Sequence, residues 1–466
     1  MDNFELYYRL NNATVPSEQS KLADSMLKYF SYKFGFRAGL HIQEEDYTKR
    51  AIGLYVDYTG GTTQRLGKAS GLTAGADFDR FPMFGGRRRC NVLDDGTITA
   101  YYGDNNFVED GSNGQVMVYQ PKFYYRIDAL EADDIDTGIG KHLRKANYWV
   151  SDKRLSGFKL HPAFYDESGN PVDYILISAY EGSLYDTSEN EYITDDAQVM
   201  DANEDKLCSI SGVKPASGKT QALTRPNVEK LSNNRGVGWH GLTIKIASME
   251  QMLMLIELGT ANVQACIGRG VVSISDSPST TNNSSYTGST SSLGNSTGRA
   301  SETINERDGT EYTETADGKT SIAFRGVENF WGNIIKVVYG INIVGSGSMG
   351  GGHPYICSDY SFAESKYSDN YIGAGFTISN SSGYVTAFGY DAEYDWLFIP
   401  SECSESASEI IGDRCFITAN LNGSRTAFIG GYWSYSVGRN AYCWTLNNVV
   451  GTRSRIYGGR LVYVPQ

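Results

Sequence analysis

The sequence is poor in the groups that catalysis and metal binding need. Its five histidines, His41, His142, His161, His240 and His353, form no HExxH motif and no close pair of the kind that holds zinc. No GxSxG, GxxxxGK[ST] or EF-hand pattern occurs either. His161 in GFKLHPAF and His240 in GWHGL sit among apolar and glycine residues, and read as packed, hydrogen-bonded rings. Without convergent titratable groups the chain is not expected to be an enzyme, and neither a metal nor a cofactor is expected. The seven cysteines include no CxxC and their number is odd. That argues against a disulfide framework or a structural zinc site, and for buried or incidental thiols in a protein made in a reducing cytoplasm. No window approaches the roughly 18 uninterrupted apolar residues of a membrane span. The opening MDNFELYYRLNNATVP has no basic n-region and no apolar h-region, so neither membrane insertion nor a signal peptide is expected. A net charge of −13 makes nucleic acid an unexpected partner.

One absence is local. From Arg414 to Gln466 there is no Asp, Glu or Lys, but there are six Arg. This stretch therefore carries +6 within a chain of −13, leaving −19 on residues 1–413. What is abundant is tyrosine: 33 Tyr against 19 Phe and 6 Trp, together with 52 Gly. Tyrosine offers large contact area for few rotamers, so this composition suits recognition surfaces, although it also suits plain β-structure.

Along the chain, PSEQSKLADSMLKYFSYKF (16–34) places apolar residues at 22, 26, 27, 30 and 34, an amphipathic helix. Such a helix either packs on its own domain or docks into a partner. From Ala51 the pattern turns to strands. AIGLYVDYTGGTTQRLG breaks at Gly60–Gly61 and NVLDDGTITAYYGD at Asp95–Gly96, both hairpin signals. Residues 114–127 and 172–185 read as further strands. ASMEQMLMLIELG (247–259) predicts a helix with an apolar face at 249, 252, 253, 255 and 256 and Gly259 as C-cap. The Ser/Thr/Asn/Gly-rich stretch 271–320 reads as an insertion, a long loop or hairpin extension that orders only if it packs on a neighbour. GGRRRC (85–90) reads as a solvated or salt-bridged turn. These elements predict an α+β fold with a dominant antiparallel sheet.

In GGYWSYSVGRNAYCWTLNNVVGTRSRIYGGRLVYV (430–464), Trp433, Trp444, Leu446 and Ile456 are spaced like core anchors. Between them stand Tyr432, Ser434, Tyr435, Arg439, Tyr442, Thr445, Asn447, Asn448, Thr452, Ser454, Arg455 and Tyr457, residue types suited to contact and hydrogen bonding. Tyr, Ser, Thr, Arg, Cys, Val and Ala are all reached from an Asn codon by changing its adenines, with no stop codon produced. The segment resembles the variable region of diversity-generating retroelement target proteins of the phage tail-fibre type, whose fold is C-type-lectin-like. WGNIIKVVYGINI (331–343) is similar to the GNVWEW-type core motif of the formylglycine-generating-enzyme branch of that fold, GGRLVYV (458–464) to its terminal strand, and GWHGLTIKIASMEQMLMLIELGT to its long core helix. The likeness covers roughly 115–466. Cys403, Cys415 and Cys443 lack the close pairing of the oxidase branch, and calcium-ligating Glu-Pro-Asn motifs are absent, so neither activity carries over.

The resemblance implies a C-type-lectin-like domain over 113–466, holding the insertion 271–320 and a variable binding segment 430–460. A small β-rich module at 51–112 and a virion-attachment segment at 1–50 would precede it. It implies a virion protein of a tail or head fibre, made in the host cytoplasm and homotrimeric. That protein would contact other virion proteins and bind a host surface receptor, protein or polysaccharide, through the twelve residues named. The acid-free face suits an acidic surface polymer or protein. The alternative is a structural head-fibre or tail decoration subunit, in which the segment contacts a sister subunit. On the first reading, replacing Tyr435, Tyr442 and Arg455 by Ala would leave stability nearly unchanged.

Overall fold

The computed structural model describes residues 46–193, 200–219, 223–305, 310–313, 315–347, 350–363, 369–408, 410–435 and 438–466. The chain divides into two units, Met1–Lys49 and Arg50–Gln466. Of the first, only a short helical turn at Tyr47–Lys49 is described, so the helix expected over 16–34 lies outside the described residues.

The second unit is mostly β-sheet. The expected hairpins form: Ile52–Asp57 pairs antiparallel with Thr62–Gly67, and Arg88–Val92 with Ile98–Tyr101. In both, glycine in the turn supplies the positive φ that closes it (Gly61 at 67° and Gly96 at 83°). Their strands do not form a separate module, however. Ile52–Asp57 also pairs with Lys141–Ser151 in the main sheet, and Arg88–Val92 with Gln115–Pro121 in a second sheet that includes the C-terminal strand Leu461–Tyr463. No boundary falls near residue 112, because strands from both sides of it share two sheets. Local turn chemistry predicts a hairpin but says nothing about what its outer edge pairs with.

The helix extends over Ile244–Leu258, started by the Thr243 side chain accepting from Ile246 N and ended by Gly259 at φ 75°. Thirteen of its fifteen residues are buried, so it is enclosed on all sides and has no solvent face. Its polar residues are matched individually. Glu250 pairs with Arg87 at 2.7 Å, Glu257 with Arg325 at 2.5 Å, and Gln251 Nε2 donates to Ala441 O at 2.8 Å. Of the two readings of GGRRRC, the salt-bridged one holds for Arg87 and Arg89, which are buried and pair with Glu250 and Glu109, while Arg88–Val92 is a strand and not a turn.

The insertion is also more ordered than its composition suggests. Asn282, Asn283, Ser284, Ser285, Thr287 and Thr290 are all buried. Small polar side chains let the backbone pack closely while supplying hydrogen bonds: Asn282 donates to Pro215 O, Thr287 to Ile210 O, and Ser285 N to Asn333 Oδ1. Residues 282–290 of this segment are thus packed onto the body by polar contacts.

His240, on the strand Trp239–Gly241, is buried between Glu229 on Nδ1 (2.9 Å) and Glu167 on Nε2 (3.1 Å), and stacks on Tyr360. Burial alone would lower its pKa. The two carboxylate hydrogen bonds outweigh burial and raise it to about 9. A pKa raised on folding contributes stability that is complete below the unfolded value of about 6.5 and is lost as pH rises through 9. The stability difference between wild type and His240→Gln should therefore shrink from pH 6.5 to 9.5 in thermal melts. A difference that stays constant over that range would show that the ring is uncharged.

Candidate binding site

The geometry of the C-terminal segment follows from strand alternation. Trp444–Asn448 lies between Arg414–Phe416, to which it runs parallel, and Asn422–Ile429, to which it runs antiparallel. Successive side chains point to opposite faces. Trp444 and Leu446 are fully buried in the main core, and Trp444 Nε1 donates to Phe398 O at 2.9 Å. Thr445 and Asn447 point the other way. Phe416 is the register partner of Thr445, and Tyr457 is that of Ile335 on the next strand but one.

On that opposite face these residues enclose a cleft of about 150 Å³. It is lined by Tyr435, Arg439, Thr445, Asn447, Asn448 and Tyr457 together with Phe416, Ile335, Cys443 and Ile456. Six of the twelve residues named from sequence therefore converge. Asn447 is exposed, Tyr435, Asn448 and Tyr457 are half-buried, and Arg439 and Thr445 are buried against the cleft floor. Asn448 Nδ2 donates to Tyr457 Oη at 2.9 Å, and the Tyr457 ring lies 4.6 Å from that of Phe428. The Arg439 guanidinium lies 3.6 Å from the ring centre of Tyr435 and 4.0 Å from that of Phe416. A Cβ on Gly431 would come within 2.6 Å of the Arg439 Cβ, so only glycine leaves room for Arg439 there.

The loop carrying Arg439 is held from below. Asp413 accepts from the backbone N–H of Asn440 (2.6 Å) and Tyr442 (2.8 Å). Burial pushes the Asp413 carboxyl up to about 8 against those two bonds. Tyr442 is a correction to the sequence reading. It is fully buried, packs against Phe388 and Phe398, and donates to Gln251 O of the core helix at 2.6 Å. It cannot reach a partner; it anchors the loop. Spacing could not distinguish it from Tyr435, because both lie on an irregular loop with no periodicity to assign a face.

Arg455 is committed too. Its guanidinium makes a two-pronged pair with Asp276 of the insertion (2.8 and 2.7 Å) and donates to Thr281 O. That pairing holds the Asp276 carboxyl below its usual range. The same carboxylate accepts from Trp433 Nε1 at 3.0 Å, and Trp433 is buried with Val271 and Ile274. Replacing Tyr435, Tyr442 and Arg455 together would therefore disrupt the core and the insertion, contrary to the expectation of unchanged stability. Tyr432, Ser434, Thr452 and Ser454 are half-buried and do not line the cleft, although Tyr432 stands edge-on to Tyr435 at 4.6 Å. Phe416 and Ile335, which the sequence reading missed, belong to other strands and carry no local signal.

Among the described residues no group of three or more His, Cys, Asp or Glu is arranged to hold a metal ion, and no helix is long and apolar enough to cross a membrane. No family model matches the chain, and no curated protein matches it in sequence. Among solved structures it is similar to variants of the Major Tropism Determinant. The I1 variant is 10% identical with a TM-score of 0.27, over 84% of this chain and 73% of that one. The P3c variant is 10% identical with a TM-score of 0.24 over the same shares. The M1 variant is 10% identical with a TM-score of 0.27, over 85% and 74%. Likeness at this level leaves the function to be argued from the residues themselves.

Proposed function

We propose that this chain is a virion receptor-binding protein whose 430–460 segment, carried on a C-type-lectin-like domain, contacts a host surface receptor from a homotrimeric fibre. One observation carries the reading: along a single strand Trp444 and Leu446 are locked in the core while Thr445 and Asn447 line a cleft. Such a division lets contact positions vary at little cost to the scaffold, because substitutions at open positions away from the core rarely exceed about 0.5 kcal/mol. The acid-free sequence and the resemblance to retroelement-diversified proteins support the same reading. The contact residues proposed are the six lining the cleft, with the half-buried Tyr432, Ser434, Thr452 and Ser454 of the same segment.

The test is adsorption. Particles carrying Tyr435→Ala with Asn447→Ala should keep the melting temperature of the isolated protein within a few degrees and lose most adsorption to their bacterial host. Unchanged adsorption would favour the decoration-subunit reading, in which the same face only builds the particle. A neighbouring reverse-transcriptase gene with a near-copy of the 430–460 coding repeat would speak for diversification.

A further inference from the structure

Arg439 differs from the other buried arginines. Arg87 meets Glu250, Arg325 meets Glu257 and Asp79, Arg235 meets Asp94, and Arg460 donates to the carbonyls of Ser178, Glu328 and Asn329. Arg439 is 5% exposed, yet no carboxylate among the described residues lies within ion-pair distance. Its Nε has no hydrogen-bond partner, and its Nη1 reaches only Cys443 Sγ at 3.9 Å. Asp413, the nearest acid in sequence, has both carboxylate oxygens engaged by backbone N–H groups and acts on Arg439 only at a distance. From residue 414 to the C-terminus there is no other acid. A buried cation without a partner is costly, and stacking on aromatic rings offsets only part of that cost. What stacking does provide is orientation: against Tyr435 and Phe416 the planar guanidinium is held in place at the wall of the cleft.

We infer that the cleft takes a carboxylate-bearing sugar, a uronic-acid residue of a surface polysaccharide, with Arg439 binding the carboxylate. The inference rests on the receptor-binding reading and names the ligand class for the same site. A space of about 150 Å³ admits a single ring-sized group, comparable to cavities that hold benzene. The rest of the polar lining is neutral, made of Thr445, Asn447, Asn448 and Tyr457. An aspartate or glutamate side chain from a protein receptor would satisfy Arg439 but bring no hydroxyls to Thr445 and Asn447, while Asn448 and Tyr457 already bond each other. A pyranose ring supplies hydroxyls to Thr445 and Asn447 as well. The sugar therefore fits the whole lining, and the acidic side chain only one end of it.

Binding is measured calorimetrically on the full chain with three probes: D-glucuronate, D-glucose and the capped amino acid N-acetyl-L-aspartate amide. Glucuronate should bind in the millimolar range, weaken with added salt, and exceed glucose and the capped aspartate by about ten-fold or more. Arg439→Gln should abolish the difference between glucuronate and glucose. Because Arg439 is buried, Asn447→Asp serves as the second variant: it adds an acid at the exposed rim, and should weaken glucuronate about ten-fold more than it weakens glucose, with the melting temperature unchanged. No glucuronate binding, equal binding of glucose, or tighter binding of the capped aspartate would each overturn the assignment, the last in favour of an acidic protein epitope. Adsorption separates the two readings. If it depends on the cleft but glucuronate does not bind, this inference fails and receptor binding stands. If glucuronate binds but cleft variants adsorb normally, the failure is that of the receptor-binding reading.

Discussion

Glu181→Ala is expected to be among the most damaging single substitutions in the chain, costing about 3–5 kcal/mol in urea denaturation. Glu181 and Lys336 are both fully buried and paired at 2.8 Å. The carboxylate also accepts from Asn333 Nδ2 (2.6 Å), Asn329 Nδ2 (3.3 Å) and the backbone N–H of Ile334 (3.3 Å). Asn333 in turn bonds Ser285 of the insertion, and its carbonyl receives Trp433 N of the C-terminal segment. Removing one carboxylate would therefore strand a buried cation and free three donors at the meeting point of core, insertion and binding segment. Burial already pushes Lys336 down to about 8, against the pull of Glu181. Without that pull its folded pKa falls further, the unfolded chain binds the extra proton, and the variant gains stability with rising pH. The deficit should therefore narrow as pH climbs towards 8. Glu181→Leu with Lys336→Met should recover much of the loss, because an apolar pair leaves no charge uncompensated. A single-variant cost below about 1 kcal/mol would mean that water reaches the pair.

Trp444→Ala and Trp433→Ala should each cost about 3–5 kcal/mol, through lost burial and the cavity left behind. Both indoles are fully buried, but in different places. Trp444 lies in the main core, so its loss should lower the global unfolding midpoint. Trp433 belongs to a small cluster with Val271 and Ile274, and its Nε1 is bonded to Asp276. Its loss should be felt first as faster hydrogen exchange across 271–320. Asn447→Ala, one strand position beyond Leu446, should stay within about 0.5 kcal/mol. If Asn447→Ala cost as much as Trp444→Ala, inside and outside would be reversed on this strand.

Much of the scaffold was legible because its signals are local. Hairpin turns at Gly60–Gly61 and Asp95–Gly96, the helix end at Gly259 and the buried Trp433, Trp444 and Leu446 each depend on a few neighbouring residues. Misreadings arose where the deciding partner is remote in sequence. The sequence assigns the helix an apolar face at 249, 252, 253, 255 and 256, but Glu250 and Glu257 are buried as well, because Arg87 and Arg325 come from far away in the chain to meet them. The insertion 271–320 is expected to order only if it packs on a neighbour, and the hydrogen bonds that pack its residues 282–290 go to residues that no local pattern reveals.

By itself the sequence determined a β-rich chain with one strongly apolar helix, a C-terminal stretch free of acids, and alternation of core and contact residues along Trp444–Asn448. These follow from composition and from the two-residue period of a strand, which any reader of the chain can apply. Only the tertiary structure decided which contact-type residues share a surface. It separated Tyr435, at the cleft, from Tyr442, in the core, and Arg439, without a carboxylate partner, from Arg455, which is paired with Asp276. The physical reason is that burial and charge compensation depend on what long-range pairing brings alongside a residue, and spacing along the chain does not contain that information.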